Sequence, residues 1–260
     1  MSGPMRVNYG GTVPISTVDW HGRVSITIFF RGCPLRCPYC QNYDFFSETD
    51  MVDISKIEAE IKKSKPFVSS IVISGGEPLM QMGAVEHLAA FAKKNGLLVG
   101  VHTNGFYPES VAELIDKGLV DKFFIDIKAP PSDIELYGRA VGFGEYEEVK
   151  SDPSQIVEKL SRIVDVVVEN NIELELRTTV IRDLMGSGDD ISSIARWVCQ
   201  HAGPAAEYVI QQGIPENAMQ ESLRDVLPFK RDEMLELANK ALEHLENVWI
   251  RTKESGNEKV

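Results

Sequence analysis

The chain has 260 residues, 43% of them hydrophobic and 25% charged, which excludes a mainly disordered, collagenous or low-complexity protein. Lys and Arg number 27 against 39 Asp and Glu, a formal charge of −12 that disfavours anionic lipid and makes nucleic acid an unfavourable partner. No stretch approaches the roughly 20 apolar residues of a membrane span, and residues 1–13 lack an apolar signal-peptide core, so a cytoplasmic location is expected.

This length is within reach of a single α/β barrel, so one domain is expected over residues 1–260. Apolar runs at residues 24–30, 70–74, 97–101, 122–127, 172–180 and 207–211 read as six strands. Helical spacing lies between them, in Ile54, Ile57 and Ile61; Val85, Leu88, Ala89 and Ala92; Val111, Leu114 and Ile115; Ile156, Leu160, Ile163 and Val167; and Ile191, Ile194, Ala195 and Val198. Asp152 and Pro153 read as a helix cap and first position, and Gly96 and Gly118 as left-handed stops. A last helix is expected at about 231–245, followed by a frayed polar tail at 253–260.

Alternating strands and helices predict a parallel sheet, either doubly wound or curved into a barrel, and periodicity does not choose between them. Ile172, Leu174 and Leu176 alternate with Glu173, Glu175 and Arg177, which points a polar face away from the helices and toward a lined cavity. Residues 130–152, with Gly138, Gly142 and Gly144 among acidic residues, exceed a usual βα loop and read as a lid or docking loop.

The sharpest chemical signal is Arg31-Gly32-Cys33-Pro34-Leu35-Arg36-Cys37-Pro38-Tyr39-Cys40, directly after the first strand. Three clustered thiols and one distant one are no disulfide framework; they suggest metal. Three thiolates hold a four-iron cluster at three corners and leave one iron open, whereas a zinc site needs a fourth ligand. Cys199 does not supply it: it follows Val198 on the core stripe of a helix whose C-terminal end lies at the opposite pole, and it reads as a buried free thiol.

Further polar groups end the other strands. Ser74-Gly75-Gly76-Glu77-Pro78 closes the second, where paired glycines let backbone approach a ligand. His102, Thr103 and Asn104 close the third, and Asp126 and Lys128 share a face at the end of the fourth. Arg177 and Thr179 close the fifth, Gln211 and Gln212 the sixth. Taken singly, each is an ordinary satisfied polar group; together at one pole beside three cysteines they describe one site.

The Cys33, Cys37 and Cys40 motif with Tyr39 before its last cysteine, followed by Gly75-Gly76-Glu77-Pro78, resembles the radical S-adenosylmethionine (SAM) superfamily. Thr17-Val18-Asp19-Trp20-His21-Gly22, Thr103-Asn104-Gly105 and Asp126-Ile127-Lys128 resemble its glycyl-radical-enzyme activases. The resemblance covers about residues 15–215 and implies an α/β fold, a partial (βα)6 barrel of the radical SAM type. It implies that Cys33, Cys37 and Cys40 bind a [4Fe–4S] cluster whose open iron meets S-adenosyl-L-methionine. Gly75, Gly76 and Glu77 would then meet the methionine amino group, the Tyr39 backbone the adenine, and Lys128 the carboxylate and ribose. Asp126 matches an acid beside a monovalent cation in related activases, while His102 replaces their second aspartate and is expected only to contact the cofactor. Asn104, Arg177 and Gln211 complete the expected cofactor-binding set. The implied partners are a glycyl-radical enzyme, foremost an anaerobic ribonucleotide reductase, and a reductant such as ferredoxin or flavodoxin. Two alternatives stand: a radical SAM enzyme acting on a small metabolite, peptide or modified nucleoside, and a zinc-stabilised binding module without catalysis.

Overall fold

The computed structural model describes residues 5–46 and 49–260, so the first four positions of the N-terminal segment considered above lie outside it. β1 (Arg6–Ser16) and β2 (Ser25–Phe30) form an antiparallel hairpin, and the short β3 (Met51–Asp53) pairs with the start of β1. Then α1 (Ile54–Ser64), β4 (Ser70–Gly75), α2 (Met82–Lys94), β5 (Leu98–Thr103), α3 (Pro108–Asp116) and β6 (Lys122–Asp126) alternate. They are followed by α4 (Ile134–Val141), α5 (Pro153–Glu169), β7 (Glu173–Val180), α6 (Gly188–Ala202), β8 (Glu207–Gln212) and α7 (Arg231–Leu242). A hairpin of β9 (Asn247–Thr252) and β10 (Gly256–Lys259) ends the chain.

Among the described residues, ten strands join one sheet in the order β10-β9-β8-β7-β6-β5-β4-β2-β1-β3. From β2 to β9 every neighbouring pair is parallel and follows chain order without reversal. A doubly wound sheet reverses its order at a switch point, so this order is that of a barrel, and β3 and β10 remain as its two open edges. The six expected strands are β2 and β4 to β8. The expectation falls short by β1, β3, β9 and β10, of which β9 is a further parallel strand whose buried Val248, Ile250 and Thr252 alternate with Trp249 and Arg251.

Two other expectations are corrected. Residues 130–152 are no simple lid: α4 is capped by Asp133 and ended by left-handed Gly142, and it buries Leu136, Tyr137, Ala140 and Val141. Eight residues among glycines are too few to carry a clear period. Nor is the tail frayed, because Gly256 to Lys259 pair with Thr252 to Trp249, and Arg231 and Arg251 bond Glu258 and Asn257. A polar edge strand has no apolar alternation to reveal it. By contrast, Gly96 and Gly118 adopt the expected positive φ, and Asp152 caps α5.

The lumen of the open barrel is sealed by the β1–β2 connection. Trp20 is buried there against Val72 and Phe124, meeting the Phe124 ring edge-on at 5.7 Å. Gly100 makes the room, since a Cβ at that position would lie about 3.0 Å from both rings. The adjacent His21 reaches the far end of the sheet, where its ring lies 4.9 Å from Trp249 and 3.3 Å from the Asn257 amide. One short connection therefore fills the barrel and ties β2 to the β9–β10 hairpin. Trp20→Ala is expected to cost about 3–5 kcal/mol, the usual range for emptying a large aromatic site, and to lower the thermal midpoint measured by circular dichroism.

Candidate active site

The cysteine loop begins where β2 ends and is held by its neighbours' backbone. Gly76 N–H donates to the Phe30 carbonyl at 3.0 Å and Glu77 N–H to the Gly32 carbonyl at 2.8 Å. A Cβ on Gly75 would lie 2.1 Å from the Phe30 oxygen, and one on Gly76 2.2 Å from the Gly32 oxygen. The paired glycines thus answer first to a flat backbone contact between β4 and the cysteine loop, a reason the sequence did not disclose. Arg36 gathers the loop from within by donating to the Cys33 and Leu35 carbonyls at 2.8 and 2.9 Å. From outside, α4 accepts Arg36 N–H at the Val141 carbonyl.

Glu77 is fully buried, and its carboxylate is turned into the protein. It accepts from Leu79 N–H, the Thr103 hydroxyl and Asn104 N–H, the last at 2.7 Å. Burial pushes its pKa up to about 7 against those donors. The cavity lining includes Gly75 and Gly76 but not Glu77, whose carboxylate instead fixes the end of β5. Through that anchor Asn104 is set in place, and its side-chain amide reaches Cys33 Sγ at 3.5 Å.

The other strand ends carry an ionic chain. Asp126 on β6 accepts from Lys128 Nζ at 2.9 Å and from Arg177 Nε on β7 at 3.0 Å. Burial opposes the charge on Asp126, but Lys128 and Arg177 outweigh it and hold the carboxyl well below the usual carboxylate range. Burial likewise disfavours the Lys128 ammonium, and the Asp126 carboxylate overrides it, raising the lysine well above its ordinary value. Two cations around one carboxylate leave a positive excess, suited to a bound carboxylate group.

His102 is held as a neutral ring. Its Nδ1 lies 3.1 Å from Ser74 Oγ and its Nε2 3.3 Å from the Asp19 carbonyl, which suits a proton on Nε2 and a hydroxyl donating to Nδ1. Burial, and then Arg177, push its pKa well below the usual value.

These groups surround two adjoining hollows. One of about 190 Å³ is lined by Cys33, Cys37, Tyr39, Cys40 and Lys128. The other, about 340 Å³, is lined by Asp19, Ser74, His102, Arg177 and Arg251. Gly75, Gly76, Asn104, Asp126, Thr179 and Gln211 border both, so they form one site. Gln212 turns away to the Phe229 carbonyl and Lys253 N–H, and Cys199 lies outside this lining. Sequence reasoning missed Gln41, Asn42 and Arg251 as lining residues, and placed Asp19 only in a motif. Arg251 lies on the unpredicted β9, where the alternation of Val248, Ile250 and Thr252 was its one signal.

A model of the radical SAM superfamily matches residues 27–183 of this chain. The chain belongs to the radical SAM superfamily. A protein assigned as a glycyl-radical enzyme activating enzyme in Methanocaldococcus jannaschii is 34% identical over 249 residues, 95% of this chain and 97% of its own. A pyruvate formate-lyase-activating enzyme of Staphylococcus aureus is 38% identical over 96 residues, 34% of this chain and 36% of that one. Among solved structures, a radical SAM methyltransferase from Sphaerobacter thermophilus shares the fold with a TM-score of 0.65 at 13% identity, over 89% of this chain and 67% of that one. The chain is thus a radical SAM enzyme of the glycyl-radical-enzyme activating type, whose cofactors are a [4Fe–4S] cluster and S-adenosylmethionine.

The residues present fit that cofactor pair. The three loop cysteines carry free thiols. Cys33, Cys37 and Cys40 line one hollow together, and three thiolates suit three corners of a four-iron cluster with one iron left open. Burial pushes the Cys33 and Cys37 thiols up and Cys40 up to about 12, so metal binding must displace their protons. Two substitutions test this geometry. Gly76→Ala is expected to push the cysteine loop off β4 and to lower the iron bound per chain, read by colorimetric iron assay after anaerobic reconstitution. Asp126→Asn leaves Lys128 and Arg177 without their shared counterion at the cavity wall and is expected to lower the thermal midpoint.

Proposed function

We propose that this enzyme installs a glycyl radical on an anaerobic ribonucleotide reductase, working in the cytoplasm with ferredoxin or flavodoxin as its one-electron donor. The observation that carries the activase reading is the near full-length likeness to the Methanocaldococcus jannaschii relative, supported by a polar cavity inside a barrel with two open edges. The choice of reductase rests on the resemblance of Thr17 to Gly22, Thr103 to Gly105 and Asp126 to Lys128.

When bound, the reduced cluster and S-adenosylmethionine supply a 5′-deoxyadenosyl radical that takes a hydrogen atom from the partner. The chain's own work is to bind and aim. Cys33, Cys37 and Cys40 hold the cluster, and Gly75 and Gly76 present backbone to the amino group of the cofactor. Lys128 and Arg177, steadied by Asp126, meet its carboxylate and ribose. The Tyr39 backbone would meet the adenine, while His102 and Gln211 border the adenosyl side. Glu77 acts from behind the cavity wall by holding Asn104 and the glycine turn.

The deciding experiment incubates the anaerobically reduced enzyme and S-adenosylmethionine with purified glycyl-radical proteins and records electron paramagnetic resonance. A glycine-centred radical on the ribonucleotide reductase, and none on a pyruvate formate-lyase, is the expected result; the reverse pattern reassigns the partner. Cys37→Ala is expected to abolish reductive cofactor cleavage, measured as 5′-deoxyadenosine by chromatography. Lys128→Ala is expected to retain iron and raise the cofactor concentration needed for half-maximal cleavage by about tenfold, the loss of roughly one charge-assisted contact.

A further inference from the structure

Two side chains beside the cluster cysteines have hydrogen-bond donors that nothing else in the protein uses fully. The first is Asn104. Its backbone N–H is taken by Glu77 at 2.7 Å, and its side-chain oxygen accepts Phe106 N–H at 3.1 Å. That second bond fixes which way the carboxamide faces, so the NH2 group is the end directed at Cys33 Sγ, 3.5 Å away. The second is Tyr39. Its ring is buried in the core and lines the same hollow as Cys37, and its buried hydroxyl forms no hydrogen bond to any protein atom. A fully buried phenol without a partner costs about 1–3 kcal/mol, and Phe at this position would avoid that cost. The hydroxyl is therefore explained by an acceptor stronger than a protonated thiol, which a cluster-bound thiolate is.

We propose that Asn104 and Tyr39 are sulfur-directed donors, to the Cys33 and Cys37 thiolates respectively, that set how readily the bound cluster takes up its electron. Both are positioning residues, and the inference rests on the cluster reading above. Reduction adds negative charge to the cluster, and part of that charge resides on the cysteine sulfurs. Donors aimed at the sulfurs stabilise the reduced state more than the oxidised one and move the reduction potential upward. Lys128 adds a positive charge near Cys37 and Cys40, but its removal would change the net charge of the site and so would not isolate this effect. The two neutral donors do isolate it, because neither changes the net charge of the site.

The test is a potentiometric titration of the reconstituted enzyme without S-adenosylmethionine, followed by the electron paramagnetic resonance of the reduced cluster. Tyr39→Phe and Asn104→Ala are each expected to keep their iron and to shift the midpoint to more negative potential, with the double variant shifted further than either. The iron-free Tyr39→Phe protein is expected to melt at or above the parent temperature, since it loses only an unpartnered hydroxyl. Iron-replete variants with midpoints unchanged or shifted upward overturn the inference while leaving the cluster reading intact. Loss of iron from Tyr39→Phe also overturns it, because a hydroxyl that only adjusts a ligand is not required for assembly. A parent enzyme that shows no reduced-cluster signal overturns the cluster reading and this inference together.

Discussion

A single buried carboxylate organises the site. Glu77 sits just beyond β4, where two glycines let the chain lie flat on the end of β2, and it gathers donors from its own turn and from the end of β5. Hydrogen bonds to a charged group contribute about 1.5–3 kcal/mol each, and here they also register three strand ends against one another. The cysteine loop grows from β2, the glycine turn from β4 and Asn104 from β5. Displacing any one of them displaces the other two.

Across the lumen the same problem, charge without water, is met by pairing along the register of the strands. Asp126 and Arg177 are direct neighbours in the β6–β7 ladder, so their ion pair follows from strand alignment and not from flexible side chains. Deeper in the barrel, fully buried Glu175 is met by Arg251 at 3.0 Å and Lys122 at 3.8 Å. Phe124, the register partner of Glu175, packs at this same level against the Trp20 plug. The lumen therefore carries charge at both levels, the Lys122, Glu175 and Glu207 cluster near the strand starts and the Asp126, Lys128 and Arg177 chain at the C-terminal ends, where the cysteines lie.

Much of this was legible beforehand, for different reasons at different residues. The β2 and β4 to β8 strands announced themselves because buried parallel strands are continuous apolar runs, and their helices because one face must be greasy. Gly75 and Gly76 were legible as special but not in their first purpose, since a clash with Phe30 and Gly32 exists only once β2 and β4 are neighbours. Glu77 was read as facing a ligand, yet its carboxylate faces Thr103 and Asn104, residues that become adjacent only through sheet pairing. The segment with α4 looked like a loop because its period is short, and its role against Arg36 is a tertiary contact.

The amino-acid sequence by itself determined the chemistry of the loop from Cys33 to Cys40, because ligands a few residues apart meet whatever surrounds them. It likewise determined the alternation of strand and helix, which is a property of local periodicity. Only the tertiary structure decided that the sheet runs in one direction into an open barrel, that β9 brings Arg251 into the cavity, and that His21 meets Trp249 and Asn257. Those contacts join residues far apart in the chain through strand order, and no local pattern encodes which edge will meet which.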